Sequence, residues 1–253
     1  GRIAADHIFG RASSYRGTLG TAIVGLFHRT AAMVGHSEKL LVKQERPFQK
    51  IYVHPGHHAG YYPGAQQMTL KLLFDPQTGL ILGAQAVGGD GVDKRIDVIS
   101  MAMQAEMTVF DLEEAELCYA PQFGSAKDPI NMAGFVAAGV LRGDHPIVHV
   151  DDEAVATAIE AASQAGQGGA HQTALLIDVR SHAEFEEGHL PGAINIPLEA
   201  LRDELAKVPT DRPVITYCEV GQRGYMAARL LVQRGVTARN LCGGYVSWLA
   251  RQA

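Results

Sequence analysis

An α+β unit with an antiparallel sheet, followed by an α/β unit with a central parallel sheet, is the fold class predicted by this 253-residue chain. Three observations predict it. The length exceeds the usual single-domain mode of roughly 100 to 150 residues, so two cores are expected. The first half contains β-rich runs joined by a Pro/Gly turn, the signature of a hairpin. From about Gly143 onward short apolar runs alternate with helical patterns, as in a parallel sheet flanked by helices.

In chain order, Gly1-Arg2-Ile3-Ala4-Ala5-Asp6 reads as the end of a helix whose beginning lies upstream, so the chain is expected to be a piece of something longer. Lys50 to His54, Met68 to Phe74 and Leu80 to Val87 are strand candidates, the last two joined by Asp75-Pro76-Gln77-Thr78-Gly79. Val92, Ile96, Ile99 and Met103 recur at helical spacing. Thr108 with Asp111 three residues later predicts a capped short helix through Ala115. Asp128-Pro129 opens another, through Ala137, because a carboxylate accepts an orphan N–H and Pro is tolerated at the first helical position.

In the second half Asp151 or Asp152 is expected to cap an Ala/Val/Ile helix that Gly166-Gln167-Gly168-Gly169 breaks. There follow a strand at Leu175 to Val179, a turn-helix at Ala183 to Glu187, a strand at Ile194 to Pro197 and a helix near Leu198 to Ala206. A strand at Val214 to Tyr217, a helix from about Arg223 to Arg234 and a strand at Val236 to Leu241 complete the pattern. An active centre is expected at the C-terminal ends of these strands.

Composition narrows the function. With 22 Lys+Arg against 27 Asp+Glu the net charge is −5, without the basic stripe that a nucleic-acid backbone requires. No apolar run reaches the roughly 20 residues of a membrane span, and Arg2, Asp6 and His7 stand where the apolar region of a secretory signal would be. Cys118, Cys218 and Cys242 form an odd set without CxxC spacing, which disfavours a disulfide framework and suggests a reducing, cytoplasmic setting.

Cys218-Glu219-Val220-Gly221-Gln222-Arg223-Gly224 lies where a buried strand turns into a helix. A thiol there meets unpaired peptide N–H groups and the positive end of a helix dipole, and both favour the thiolate. Gly221 permits a tight turn and Arg223 supplies a fixed cation, so the loop reads as an anion cradle; Glu219 and Gln222 line it, and a carboxylate beside the thiolate opposes its ionisation unless it points to solvent. The bland alternative, a buried core thiol, is the commoner fate of a Cys at a strand end.

The surrounding residues resemble the rhodanese family. Ile177-Asp178-Val179-Arg180, Glu184-Phe185, Gly188-His189-Leu190, Gly192-Ala193-Ile194 and Ile196-Pro197 follow its signature, CEVGQRG its catalytic loop, and Gly243-Gly244-Tyr245 with Trp248 its closing motif. The resemblance implies that Cys218 carries sulfane sulfur as a persulfide and that Arg223 helps to hold the donor anion. The four residues between Cys218 and Arg223 match the sulfur-transferring members, and the related phosphatases carry one more, which leaves phosphatase activity as a minor alternative. Asp178 and Arg180 read as a buried pair tying loop to sheet, His189 as a structural histidine and Cys242 as packing.

The first half resembles the C-terminal interface domain of flavin-dependent pyridine nucleotide-disulfide reductases, above all the coenzyme A-disulfide reductases with a fused rhodanese domain. The segments that carry this are Gly17 to Ile23, His54 to Gly64, Tyr119-Ala120-Pro121 and Ser125 to Pro129. The expected division is residues 1–142 as the dimerisation domain and 143–253 as the rhodanese-like domain. The resemblance implies a homodimer through the first unit and two tyrosines lent to the partner's redox centre, by motif position Tyr61 and Tyr119, with Tyr62 competing for the first. Ordinary interface aromatics are the alternative. His54, His57 and His58 fit no standard zinc spacing, and Cys118 reads as packing.

No GxGxxG fingerprint follows a strand, so no cofactor is expected on this piece; FAD, NAD(P)H and CoA are implied for the full-length protein, whose FAD/NAD domains would lie N-terminal to it. The expected function is a sulfurtransferase unit of a CoA-disulfide, persulfide or polysulfide reductase acting on small sulfur-containing substrates. The alternative is a non-catalytic sulfur- or CoA-binding module on a dimerisation platform.

Overall fold

The computed structural model describes residues 1–163 and 173–252, so the predicted glycine break at Gly166 to Gly169 lies outside the described residues. After α1 (Arg2–Ile8), the first half builds β1 (Ala22–Leu26), β2 (Arg29–Gly35), α2 (Glu38–Lys43), β3 (Gln49–Val53), β4 (Met68–Phe74) and β5 (Ile81–Gly88). Helices α3 (Val92–Gln104), α4 (Val109–Glu113) and α5 (Pro129–Arg142) follow. All strand pairings are antiparallel in the order β1-β2-β5-β4-β3, and Leu73/Phe74 shift register where the hairpin closes.

Both helix starts expected from capping patterns form. Thr108 and Asp111 make a capping box, and the Asp128 carboxylate accepts the Ile130 N–H at 3.1 Å. Helix α5 continues past the expected Ala137 to Arg142, where Gly143 at φ 75° ends it in the left-handed region. Its inner face, Ile130, Ala133, Ala137 and Ala138, joins Ile96 and Ile99 of α3 over Ile51, Leu70, Leu72 and Ala84 of the sheet. Strands β1 and β2 and helix α2 had no clear sequence signal; β1 is exposed along its whole length, so no burial alternation marks it.

The second half contains β6 (Ile147–Val148), α6 (Glu153–Ser163), β7 (Leu175–Asp178), α7 (His182–Glu187), β8 (Ile194–Asn195), β9 (Val214–Tyr217), α8 (Gln222–Val232), β10 (Ala238–Leu241) and α9 (Gly244–Gln252). Its sheet is parallel throughout, in the order β6-β10-β9-β7-β8. The helix expected near Leu198 to Ala206 is instead a series of turns ending in a 3-10 segment, Leu205–Lys207, with Leu201 alone driven fully into the core. Apolar clusters cover both sheet faces, one led by Ile177, Val214, Ala227 and Leu231, the other by Val148, Leu176, Ile215 and Leu241.

Strand β3 is the edge of the antiparallel sheet, and an open edge needs a cover. The second half supplies one. The Tyr52 N–H donates to Cys242 Sγ at 3.2 Å, and that thiol donates back to the Tyr52 carbonyl at 3.6 Å, so a side chain takes the place of a neighbouring strand. His54 Nε2 meets Ser247 Oγ at 2.9 Å, and Lys50 bridges Glu38 and Asp151 at 2.9 and 2.7 Å. His145 and His149 are also buried.

Burial pushes His54 and His145 down to about 4, with the Arg229 charge adding to the effect at His145. An unfolded histidine titrates near 6.5, so the unfolded chain takes up these protons first. The stability they contribute is complete above about pH 6.5 and is lost as the pH falls toward 4. The melting temperature is therefore expected to drop between about pH 7 and pH 5, and His54→Gln is expected to shrink that drop, as read by thermal denaturation across the range.

Candidate active site

Cys218 follows the last residue of β9 and stands four residues before α8. The loop between them is polarised by what its two sides bond to. The carbonyls of Cys218 and Glu219 accept the Tyr245 and Val246 N–H groups, at 2.8 and 3.0 Å, from the first turn of α9. This close approach requires glycine before Tyr245: Gly244 sits at φ 59°, and a Cβ there would fall 2.2 Å from the Cys218 oxygen. The loop amides have no such partners. From Glu219 to Gly224 none finds an acceptor among the described residues, and the first helical bond runs from the Tyr225 N–H to the Gly221 carbonyl at 2.9 Å. A run of unpaired peptide donors at a helix start is an anion site.

The sulfur itself is not bonded to these amides. Cys218 is 1% exposed and packs with Ile177, Val179, Ile196 and Ala227. Its electrostatic partner is Arg223, whose guanidinium is stabilised in its charged form first by Glu184 and then by the Cys218 thiolate. The expected contact of sulfur with inward-pointing amides is therefore absent in this conformation, because the thiol tucks into the apolar layer beneath the loop.

Glu184 and Arg223 form a bidentate pair with Nη1–Oε2 at 2.8 Å and Nη2–Oε1 at 2.5 Å. Glu184 also accepts the Ser181 N–H and hydroxyl at 2.9 Å each, closing a capping box at the start of α7. The Arg223 guanidinium, with Ser181, holds its carboxyl down at about 2, so it is ionised throughout the working range. A second guanidinium lies on the other side. Arg180 donates to both Asp178 oxygens at 2.7 to 3.1 Å, to the Gly188 carbonyl at 2.6 Å and to Glu219 at 3.0 Å, and it stacks over the Tyr245 ring at 4.2 Å. Burial opposes the charge on Arg180, but Asp178 more than compensates and raises it. Tyr217 is buried, and its oxygen accepts the Leu190 N–H at 3.1 Å.

In the first half the Tyr61 and Tyr119 hydroxyls lie 3.1 Å apart, both exposed, and the Tyr61 hydrogen bond raises Tyr119 above the usual phenol range. Tyr62 instead meets the His58 ring edge-on at 5.7 Å. The two loops that carry the pair are joined beneath by Arg95, which donates to the His57 carbonyl at 2.8 Å and to both oxygens of Asp128 at 2.7 and 3.2 Å. No hydrogen bond, ion pair or ring contact links the tyrosine pair to the Cys218 loop among the described residues. Sequence reasoning assigned no role to Arg95 or Glu184. A cation beside the Val92, Ile96, Ile99 stripe was the available signal for Arg95; for Glu184 the Ser181-x-x-Glu184 spacing explains a helix cap only.

A cavity of about 630 Å³ lies between Phe135 and Arg142 of the first half and Val220, Gln222 and Met226 of the second, and Cys218 is not in its wall. Cys242 is, but burial pushes its thiol up to about 12. Cys118 is exposed. The Gly88 to Gly91 turn between β5 and α3 does not suit a dinucleotide pyrophosphate, because the Gln66 side chain lies against Gly89 and bonds Asp90 at 3.2 Å. Among the described residues no helix is long and apolar enough to cross a membrane, and no three potential metal ligands converge.

Comparison with known proteins places both halves. Residues 21–128 match the pyridine nucleotide-disulphide oxidoreductase dimerisation domain, and residues 157–251 match the rhodanese-like domain. Coenzyme A disulfide reductase of Staphylococcus haemolyticus is 45% identical over 123 residues, covering 49% of this chain and 28% of that protein. The crystal structure of reduced Bacillus anthracis CoADR-RHD superposes over 98% of this chain and 42% of its own, with a TM-score of 0.88 and 42% identity. An NAD-dependent persulfide reductase from A. fulgidus superposes over the same shares with a TM-score of 0.83 and 30% identity. The chain thus spans less than half the length of these relatives.

Because Asp178 and Arg180 are 0% and 3% exposed, removing one strands the other as a buried charge. Asp178→Ala is expected to cost about 3 kcal/mol in a urea unfolding experiment, whereas an exposed pair would cost under about 1 kcal/mol.

Proposed function

For this chain, which combines a pyridine nucleotide-disulphide oxidoreductase dimerisation domain with a rhodanese-like domain, we propose sulfane-sulfur transfer through Cys218 within a CoA-disulfide, persulfide or polysulfide reductase. The carrying observation is the loop that follows this thiol, in which the amides from Glu219 to Gly224 find no acceptor among the described residues and the Arg223 guanidinium is stabilised by Glu184 and by Cys218. The Cys218 thiolate attacks the outer sulfur of a donor persulfide, R–S–SH. The donor S–S bond breaks, R–S⁻ leaves, and Cys218 becomes Cys–S–SH. When that terminal sulfur ionises, its charge falls where peptide N–H groups are available to donate to it. Val220, Gly221, Gln222 and Gly224 act through their backbone, and Asp178 and Arg180 hold the loop to the sheet by way of Glu219.

In the longer polypeptide, FAD and NAD(P)H would supply reducing electrons and CoA a thiol carrier. The contribution of the present residues to that centre is the Tyr61–Tyr119 pair, whose O–H groups can donate to a thiolate leaving group. We assign residues 1–142 to homodimer formation and residues 143–253 to sulfur handling, with a reducing, cytoplasmic setting fitting the three free thiols.

The 1% exposure of Cys218 favours one other reading, a non-catalytic module that binds sulfur compounds or CoA. The two separate on thiol reactivity. A module's Cys218 would be alkylated slowly until the pH passes the ordinary thiol range of about 8 to 9, whereas a catalytic thiol reacts well below it.

Incubating the full-length protein with a small-molecule persulfide should add one sulfur atom to the peptide containing Cys218, seen by mass spectrometry. Cys218→Ser should abolish both that gain and sulfur delivery to cyanide. Unchanged turnover in this variant would overturn the assignment. Tyr119→Phe should leave sulfur loading within about twofold while lowering NAD(P)H-dependent reduction by about tenfold or more, as expected for loss of one hydrogen-bond donor at a developing charge.

A further inference from the structure

The charges around the Cys218 loop do not form a simple anion-attracting site. Two guanidiniums, Arg180 and Arg223, face three carboxylates, Asp178, Glu184 and Glu219, and every carboxylate is in hydrogen-bond contact with a guanidinium. The Arg180 fork is committed to Asp178, Gly188 and Glu219. Arg223 is stabilised as a cation first by Glu184 and also by Cys218, and two of its nitrogens are taken by Glu184. Glu184 is fixed in turn by Ser181, so the carboxylate is offered to Arg223 ready oriented.

We propose that Glu184 is a specificity-determining residue of the sulfur-transfer site: as a built-in anion on Arg223, it disfavours divalent inorganic donors of the thiosulfate type and leaves organic persulfides as the preferred class. This rests on the sulfur-transfer reading above. A divalent donor, S–SO₃²⁻, transfers its outer sulfur to the Cys218 thiolate and releases SO₃²⁻; two negative charges remain on the departing group, and they need a free cation. Here they must displace an intramolecular carboxylate whose effective concentration is high, in a cluster with one more negative than positive group. The persulfide group of an organic donor carries at most one negative charge, on the sulfur that is transferred, and the loop amides from Glu219 to Gly224 can meet it without Arg223 leaving Glu184. Exclusion by like charge is a common route to specificity.

Glu184→Gln in the full-length protein separates this role from a structural one. The glutamine oxygen can still accept the Ser181 N–H, so the cap of α7 is kept while the charge is removed. Two measurements are made on the parent and the variant: thiosulfate and organic-persulfide turnover, and the alkylation rates of the Cys218 peptide by iodoacetate, an anion, and iodoacetamide, a neutral reagent. The variant is expected to lower KM for thiosulfate by about threefold to tenfold, with persulfide turnover within about twofold, and to raise the iodoacetate-to-iodoacetamide rate ratio by a similar factor, the scale of one partly exposed ion pair. An unchanged ratio, or rates that rise or fall together for both reagents and both donors, overturns the proposal and leaves Glu184 a loop fastener. If the parent Cys218 gains no sulfur from any donor, the sulfur-transfer reading fails and the specificity role falls with it, even where the alkylation ratio still responds to the charge.

Discussion

Two hydrogen bonds from the first turn of α9 decide the character of the sulfur loop. By taking the carbonyls of Cys218 and Glu219, the Tyr245 and Val246 amides force the loop to present its other face, and on that face the amides from Glu219 to Gly224 have no partner among the described residues. A peptide carries one donor and one acceptor, and satisfying only the acceptors of a turn leaves a concentration of positive partial charge. The close backbone crossing is possible because Gly244 has no Cβ. The last helix of the chain and a thiol 26 positions before Gly244 are therefore a single local structure.

On this frame the charged side chains act as fasteners and as selectors. Arg180 joins the end of β7, the Gly188 turn and Glu219, and its burial makes it costly to disturb. Arg223 and Glu184 are each about one-third exposed, so that pair contributes little to stability. The rigid pair places the loop, and the looser pair governs which anions reach it.

The two halves are held by a comparable economy of contact. Strand β3 would be an open edge, and its fourth residue, Tyr52, is met by the Cys242 thiol on both its N–H and its carbonyl. A protonated thiol can donate and accept at once, and burial keeps this one protonated. Neutral His54 completes the seam through Thr69 at 3.0 Å and Ser247 at 2.9 Å. The same seam leaves the cavity whose wall includes the flank of the Cys218 loop but not its sulfur.

Local chemistry written within a few residues was legible in the sequence: the Asp75 to Gly79 turn, the capping box at Thr108, the Asp128-Pro129 helix start, the strand at Val214 to Tyr217 and the strand–helix placement of Cys218. These depend on hydrogen bonds and periodicities that close within one turn or one strand, so neighbouring residues suffice to specify them. Strand β1 was not legible, because its apolar residues are exposed, nor was the short β6, which exists only through its pairing with β10. The capture of Arg223 by Glu184, the meeting of Tyr61 with Tyr119 and the seam at Tyr52 all join groups 39 to 190 positions apart. Such contacts are fixed by how helices and sheets pack, not by the residues beside them. The sequence by itself determined which atoms were available for chemistry, and tertiary packing decided which were buried, which were paired and which amides were left without an acceptor.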